Sequence, residues 1–264
     1  MQKGLALLRG LLGAAVLGLV GCGREAGTAA TAPAGGGGLE VLCGGSFREP
    51  MEKLADLFEK ETGMHVVLSF GQSEDLLPHV KLHERGDIFV THDPYVEYTK
   101  EAGPSGSALL RWVAVGTLAP VLVVVKGNPK GLTRLEDLAR PGVTVCLPNP
   151  EFSTCGEMVF ALLEKKGIKD AVLANAGNAL FRAHAEVASA VSLGHRDAGV
   201  MWNGVAHNWL DKLDVVPTPY EYDQEIRVAV IGLSYSRQTE LVTRFLDFTD
   251  RRGGSVFREY GYAR

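Results

Sequence analysis

Short apolar runs alternate with longer segments of mixed polarity over most of the chain after residue 38. Short apolar runs bounded by glycine or polar clusters are typical of buried strands, whereas apolar residues repeated every three or four positions are typical of helices. The pattern predicts strands at 39–44, 64–70, 87–92, 119–126, 142–147, 197–202 and 225–232. It predicts helices at 50–62, 73–84, 94–102, 134–139, 154–166, 183–193, 237–249 and 253–259. This alternation indicates an α/β fold with mainly parallel sheets.

Two turns rich in glycine and serine follow predicted strands. The strand at 39–44 leads through glycine to Ser46, and the strand at 64–70 leads through Gly-Gln to Ser73. Backbone N–H groups at a helix N-terminus point outward, and the helix dipole favours a negative charge there. Ligands of such folds bind at the carboxyl ends of strands. The two turns are therefore candidate sites for an oxyanion, although each is also compatible with an ordinary serine-capped connection.

Two extended segments, 111–125 and 215–231, contain proline and have the character of connections between lobes. Two crossings imply that the first lobe is discontinuous in sequence and that a ligand cleft lies between the lobes. We therefore predict lobe 1 at 39–116 and 223–264, and lobe 2 at 117–222.

The chain begins with a leader. Lys3 and Arg9 accompany an apolar segment, 10–20, that is too short to span a membrane. The following Leu-Val-Gly-Cys resembles a bacterial lipobox, in which the cysteine is acylated and becomes the new N-terminus. We interpret 1–22 as a lipoprotein signal peptide with lipidation at Cys22, and an ordinary signal peptide with a chance cysteine is the alternative. The lipoprotein reading predicts an extracytoplasmic, periplasmic protein that is anchored to a membrane by lipid.

Composition limits the remaining possibilities. Residues 23–38 are small and of low complexity, with four consecutive glycines, and should act as a flexible tether. The chain has 27 Lys and Arg against 31 Asp and Glu, a formal net charge of −4. This balance argues against nucleic acid as a partner. An anionic ligand must therefore be held by local donors rather than by bulk charge.

Several stretches occur in an order and spacing that is typical of one protein family. They are Glu-Lys-Glu-Thr-Gly-Met-His-Val-Val-Leu-Ser-Phe-Gly-Gln-Ser (59–73), Gly-Asp-Ile-Phe-Val (86–90), Val-Val-Lys-Gly-Asn-Pro-Lys (124–130), Leu-Glu-Asp-Leu (135–138), Asp-Ala-Gly-Val-Met-Trp (197–202) and Tyr-Gly-Tyr (260–262). Together they resemble the periplasmic molybdate- and tungstate-type solute-binding proteins of ABC importers. The resemblance covers nearly all of residues 39–262.

The resemblance implies a two-lobe periplasmic-binding-protein fold of type II. Each lobe would be a mainly parallel sheet flanked by helices, and the ligand cleft would lie at a two-strand hinge. A small tetrahedral oxyanion such as molybdate or tungstate would be held by hydroxyls and backbone amides, without a balancing cation. A monomeric binding protein of this kind delivers its ligand to an ABC permease in the membrane and needs no cofactor.

The family pattern assigns ligand contacts to particular positions. Ser46 and Ser73 match the two lobe 1 serines that hold the oxyanion, and Cys155-Gly156 matches a lobe 2 turn that provides a backbone N–H. His184 falls roughly where a second lobe 2 amide is provided. Trp202 replaces a frequent tyrosine whose hydroxyl touches the ligand. Tryptophan has one N–H donor and no hydroxyl, so this departure puts molybdate itself in question.

Cysteine and histidine raise a rival interpretation. The family alignment brings Cys43 and Cys155 to the cleft, with His92 nearby, and thiolates and imidazoles suit soft metals and metalloids. A metal site formed by these three residues is the alternative ligand-binding function. No CxxC or HxxxH spacing supports it. Small buried cysteines, or a disulfide between Cys146 and Cys155 in an oxidising compartment, are further readings.

Enzyme motifs are missing from the sequence. It contains no GxSxG, no P-loop and no HExxH. Acidic residues near predicted turns have a simpler explanation, because helix N-termini attract acidic side chains. We therefore expect a binding protein with no catalytic residues, rather than an enzyme.

Overall fold

The computed structural model describes residues 38–216, 222 and 225–263. Cys22 and the predicted leader lie outside the described residues, as does the predicted tether up to residue 37. The lipid anchor and the flexible tether therefore stay predictions. No helix in the described part of the chain is both long and apolar enough to cross a membrane.

Strands and helices alternate along the described chain. The strands are β1 Leu39–Gly44, β2 Val66–Gly71, β3 Ile88–His92, β4 Leu109–Leu118, β5 Pro120–Val125, β6 Val145–Pro148, β7 Leu180–Phe181, β8 Ala198–Trp202, β9 Leu213–Val215 and β10 Ile226–Leu233. The α-helices are α1 Arg48–Thr62, α2 Ser73–Lys81, α3 Tyr95–Lys100, α4 Thr154–Lys165, α5 Lys169–Ala176, α6 His184–Ser192, α7 Asn203–His207 and α8 Thr239–Glu259. Short 3₁₀ segments lie at Gly45–Phe47 and Leu135–Ala139.

The described strands form two sheets of five. The first has the order β2-β1-β3-β10-β4 and the second the order β7-β6-β8-β5-β9. In the first sheet β1 is parallel to β2 and β3, and in the second β6 is parallel to β7 and β8. The strands that carry the chain between the lobes add antiparallel pairs. The predicted two-lobe α/β fold is confirmed, but the prediction of mainly parallel sheets is wrong, because each sheet of described strands has two parallel and two antiparallel pairs.

The first passage between the lobes is short. Leu118 ends β4 in the first sheet and Pro120 begins β5 in the second, so Ala119 alone separates the two strands. The Ala119 N–H donates to the Asn203 side chain at 3.1 Å, and the same side chain donates to the Gly261 carbonyl at 2.9 Å. Asn203 thus ties the passage to the C-terminal segment. The lobe boundaries predicted above stay predictions.

The packing of α1 and α8 supports the first sheet. Apolar residues three or four positions apart give α1 a buried face that includes Met51, Leu54 and Phe58. The Phe58 ring meets Phe245 and Phe248 of α8 edge-on, at centroid distances of 5.0 and 5.4 Å. This contact sets the position of α1, and therefore of the turn that precedes it.

One sequence prediction is wrong in α8. Residues 239–259 form one continuous helix, although the sequence pattern predicted two helices at 237–249 and 253–259. A Cβ atom on Gly253 would lie 2.7 Å from a methyl carbon of Val115. The glycine therefore lets the helix approach β4 closely, and tertiary packing overrides its low helix propensity. The sequence reasoning also missed β4, β7, β9, α5 and α7 as separate elements.

Candidate functional site

The first serine turn connects β1 to α1. Ser46 is partly buried in the 3₁₀ segment Gly45–Phe47, and α1 begins at Arg48. The carbonyl oxygen of Ser46 accepts a hydrogen bond from the Tyr262 hydroxyl. Because this bond holds the peptide group of Ser46, the C-terminal segment stabilises one conformation of the turn.

The second serine turn connects β2 to α2 and lies beside the first. Gly44 and Gly71, at the ends of β1 and β2, are partners in the parallel ladder. Ser73 begins α2 and is 5% exposed, and its Oγ accepts a hydrogen bond from the Thr91 hydroxyl at 2.9 Å. The hydrogen of the Ser73 hydroxyl therefore remains free to donate to a ligand. The predicted site did not include Thr91, although it lies near the carboxyl end of a predicted strand.

The start of α4 contributes from the second lobe. Ser153 caps the helix by accepting the Gly156 N–H at 3.4 Å, and Cys155 is completely buried. A Cβ atom on Gly156 would lie 2.7 Å from the Pro148 carbonyl oxygen, so the glycine allows close packing of the helix on β6. Ser153 and Thr154 line the cleft instead. The backbone N–H contact predicted at Cys155 and Gly156 stays a prediction. The two hydroxyl residues before them were not predicted, although serine before a helical pattern is a capping signal.

We call the cavity between these turns the serine pocket. Its walls are formed by Gly44, Gly45, Ser46, Phe47, Gln72, Ser73, Glu74, His92, Phe152, Ser153, Thr154, Arg182, His184 and Trp202. The pocket is small, with a cavity volume of about 20 Å³. Both serine turns therefore meet the second lobe around a space that suits a compact ligand.

Two histidines and a tryptophan close the serine pocket on one side. His92 ends β3 in lobe 1, whereas His184 begins α6 and Trp202 ends β8 in lobe 2. The Trp202 ring centroid lies 5.8 Å from that of His92 and 5.8 Å from that of His184. Trp202 is 2% exposed, so its ring is buried where it contacts both imidazoles.

Both histidines are neutral at neutral pH. Burial and, to a smaller extent, the charge on a protonated His92 lower the pKa of His184 to about 3. Burial also lowers the pKa of His92. The Nδ1–H of His92 donates to the Asp93 carbonyl at 2.7 Å, which leaves its Nε2 as an acceptor. These imidazoles therefore offer hydrogen bonds to a ligand rather than positive charge.

Polar contacts join the lobes across the serine pocket. Arg182 of lobe 2 pairs with Asp75 of α2 at 2.7 Å. The Tyr95 hydroxyl donates to a Glu74 carboxylate oxygen at 2.7 Å and also forms a hydrogen bond with Thr154. Burial and the Glu74 contact raise the pKa of Tyr95. The two lobes are thus in direct polar contact beside the pocket.

The soft-metal alternative is not supported. The described residues contain no group of three or more His, Cys, Asp or Glu side chains that could hold a metal ion. Cys43 and Cys155 are fully buried, and burial raises the pKa of both thiols well above its ordinary value, which disfavours the thiolate that a metal needs. They point into the cores under the turns, and His92 lines the serine pocket without them. Cys146 and Cys155 are free, so the disulfide is not formed either.

The chain is similar to known binding proteins in sequence. It is 23% identical over 234 residues to a protein of Haemophilus influenzae described as a putative binding protein, which covers 85% of this chain and 90% of that one. It is 24% identical over 270 residues to the molybdate-binding protein ModA of Mycobacterium tuberculosis, which covers both chains completely.

Solved structures share the fold. The periplasmic molybdate-binding protein of Azotobacter vinelandii superposes with a TM-score of 0.70 at 19% identity, over 86% of this chain and 99% of that one. The relatives are solute-binding proteins and not enzymes, as the sequence predicted. The model of one family, the bacterial extracellular solute-binding proteins, matches residues 39–263. The chain therefore belongs to the bacterial extracellular solute-binding protein family.

Proposed function

We propose that this protein is the extracytoplasmic solute-binding component of an ABC importer and captures a tetrahedral oxyanion between its two lobes. Molybdate and tungstate are the first candidates. The observation that carries the proposal is the meeting of two serine turns from lobe 1 with two helix N-termini from lobe 2 around one small pocket.

Donors of the right kind surround the serine pocket. Ser46 and Ser73 provide hydroxyls, and the first turns of α1, α2, α4 and α6 begin beside the pocket, where backbone N–H groups lack partners within their own helix. Helix N-termini also favour negative charge. Closure of the lobes removes water, which strengthens each hydrogen bond to the anion. Capture therefore needs no chemical step.

The charged groups of the pocket wall are consistent with binding of an anion by neutral hydrogen-bond donors. Arg182 is the one Lys or Arg among the described residues of the wall, and it pairs with Asp75. Both histidines are neutral. Hydrogen bonds from hydroxyls and amides would thus stabilise the negative charge of the ligand, as in the family that the sequence resembles.

The choice of molybdate rests on similar proteins. The Mycobacterium tuberculosis and Azotobacter vinelandii proteins are both named as molybdate-binding. This pocket differs from the family pattern that we inferred from sequence. It has Trp202 in place of a tyrosine and two imidazoles in its wall. The oxyanion class is therefore the proposal, and the two metalate anions are the first to test.

The cellular setting belongs to the same proposal. A lipid on Cys22 would hold the protein at a membrane in the periplasm, and a tether up to residue 38 would let the body reach an ABC permease. We expect a monomer that docks on the permease in its closed form and that binds no nucleic acid.

A thermal unfolding screen of the purified protein tests the proposal. Molybdate, tungstate, sulfate and phosphate are compared with chloride at matched ionic strength. A ligand present at about 100 times its dissociation constant should add about 2.7 kcal/mol to the free energy of unfolding. If none of the four oxyanions raises the unfolding midpoint above that in chloride, the proposed function is wrong.

A further inference from the structure

A second and larger cavity adjoins the serine pocket. Its cavity volume is about 300 Å³, against about 20 Å³ for the serine pocket. Gly45, Ser46, Gln72 and His184 line both cavities. They are therefore neighbouring compartments of one cleft, and we call the second one the outer cavity.

The outer cavity has a wall of mixed character. Lobe 1 contributes Arg48 and Glu49 from the start of α1. Lobe 2 contributes mostly small or apolar residues from α6, α7 and the adjoining loops, which are Ala183, Ala185, Val205, Asn208 and Trp209. Apolar and aromatic walls with a few polar groups are typical of sites for organic ligands. A compact oxyanion in the serine pocket would make no use of this wall.

His184, which lies at the boundary between the two cavities, carries an unpartnered nitrogen. The Nδ1 atom of His184 is buried and has no hydrogen-bond partner in the described part of the chain. Buried polar atoms normally have a partner, because leaving one unpaired costs about 1–3 kcal/mol. Burial lowers the pKa of His184 to about 3, so the ring at this boundary is neutral.

We propose that the ligand is a tetrahedral oxyanion that carries a small organic substituent, of which a phosphate monoester is the simplest stable example. The anionic head lies in the serine pocket and the substituent in the outer cavity, with His184 at the junction. The proposal rests on the proposed function, because the same serine turns hold the head. It narrows the oxyanion class to substituted anions.

A matched pair of ligands tests this inference. Inorganic phosphate and glycerol 3-phosphate share a head group and differ in the substituent. Isothermal titration calorimetry is run with both, together with molybdate and tungstate. We expect glycerol 3-phosphate to bind at least about ten-fold more tightly than inorganic phosphate, which corresponds to about 1.4 kcal/mol.

Substitutions in the wall of the outer cavity test whether the substituent of the ligand lies there. Ala185→Phe adds a ring to the wall of the outer cavity, and Trp209→Ala removes one. Both should lower the affinity for glycerol 3-phosphate about ten-fold. The affinity for inorganic phosphate should stay within about two-fold of the wild-type value. Leu193→Phe is the matched control, because Leu193 follows the other end of α6 and is 69% exposed. Circular dichroism checks that each variant is folded.

The outcomes separate this inference from the proposed function. If wild type binds glycerol 3-phosphate no more tightly than phosphate, or if an ester preference survives both cavity variants, the inference is overturned. Binding of molybdate or tungstate without any ester preference would overturn it and leave the proposed function standing. If none of the four anions binds, the proposed function fails and the inference fails with it.

Discussion

The two lobes contribute to the serine pocket in different ways. Lobe 1 provides small hydroxyl residues on turns that other groups hold in place, since Thr91 donates to Ser73 and Tyr262 donates to Ser46. Lobe 2 provides the bulky rings of His184 and Trp202, together with a serine that caps its own helix. The lobe 1 side resembles a preformed site, whereas the lobe 2 side resembles a cover.

This difference indicates a division of work. Donors that are already oriented lose little entropy on binding, so the lobe 1 turns should supply most of the affinity for the anionic head. The rings of lobe 2 exclude water and shape the remaining space, so they should decide which ligands fit. The following predictions test that division, from the largest expected effect to the smallest.

Removal of a lobe 1 hydroxyl should have the largest effect. Ser73→Ala deletes a buried donor to an anion, and a hydrogen bond to a charged group contributes about 1.5–3 kcal/mol. We expect a loss of affinity of about 10- to 150-fold by calorimetry. Stability should fall as well, by about 1–3 kcal/mol, because the buried Thr91 hydroxyl loses its acceptor. Ser46→Ala should lower the affinity alike, and Ser255→Ala, on the exposed side of α8, is the control. Unchanged affinity in both pocket variants would show that the anion does not bind at these turns.

Acid should destabilise the protein through protonation of His184, which belongs to the lobe 2 side of the pocket. The pKa of His184 is about 3 in the folded protein and about 6.5 in the unfolded chain, so the unfolded state binds more protons between these values. Its contribution to stability is complete above about pH 6.5 and is lost as the pH falls toward 3.

Urea unfolding at two pH values measures this effect. Between pH 7 and pH 5 the free energy of unfolding of wild type should fall by about 2 kcal/mol more than that of His184→Gln. His195→Gln, at an exposed position after α6, is the control and should retain the wild-type slope. Equal slopes in wild type and His184→Gln would show that the imidazole is not buried from solvent.

Loss of the Tyr262 hydroxyl should have an intermediate effect. Tyr262→Phe leaves the Ser46 carbonyl without this donor, which costs about 1 kcal/mol. If the first turn is preformed, the affinity for an oxyanion should fall about five-fold while the ring keeps its packing. Tyr98→Phe, at a position that is 39% exposed, is the control. An affinity equal to that of wild type would mean that Tyr262 does not position Ser46.

The ion pair across the cleft should matter least. The side chains of Arg182 and Asp75 are 47% and 60% exposed, and exposed pairs contribute less than about 1 kcal/mol. Asp75→Asn should therefore weaken binding by less than about five-fold, and less still at high salt. Asp56→Asn breaks the exposed Lys60–Asp56 pair within α1 and is the control. A loss of affinity above ten-fold would show that the ion pair is essential for holding the lobes together around the ligand.

Local patterns were sufficient for the lobe 1 side of the site. Ser46 and Ser73 each follow an apolar run and precede a helical pattern, and parallel strands joined by helices place such turns at one edge of a sheet. The sequence therefore predicted two neighbouring turns before any long-range contact was known. The alternation of strands and helices, and the two crossings between lobes, were predicted for the same reason.

Contacts between distant segments were not accessible to the same reasoning. Tyr262 reaches a turn that lies 216 residues earlier, and Arg182 pairs with a residue 107 positions away. The pattern of a strand shows that one face is buried but not what lies on that face. Cys43 and Cys155 were considered as ligands because the family alignment brings both to the cleft, whereas the structure buries both in the core.

The sequence by itself determined the α/β class, the two serine turns and the acidic, motif-poor composition, because these depend on periodicity, local turn chemistry and residue counts. Only the tertiary structure decided that α8 continues through Gly253, that Ser153 and Thr154 rather than Gly156 line the pocket, and that an outer cavity adjoins it. Each of these depends on how closely two elements approach, and that distance is set by the packing of side chains far apart in sequence.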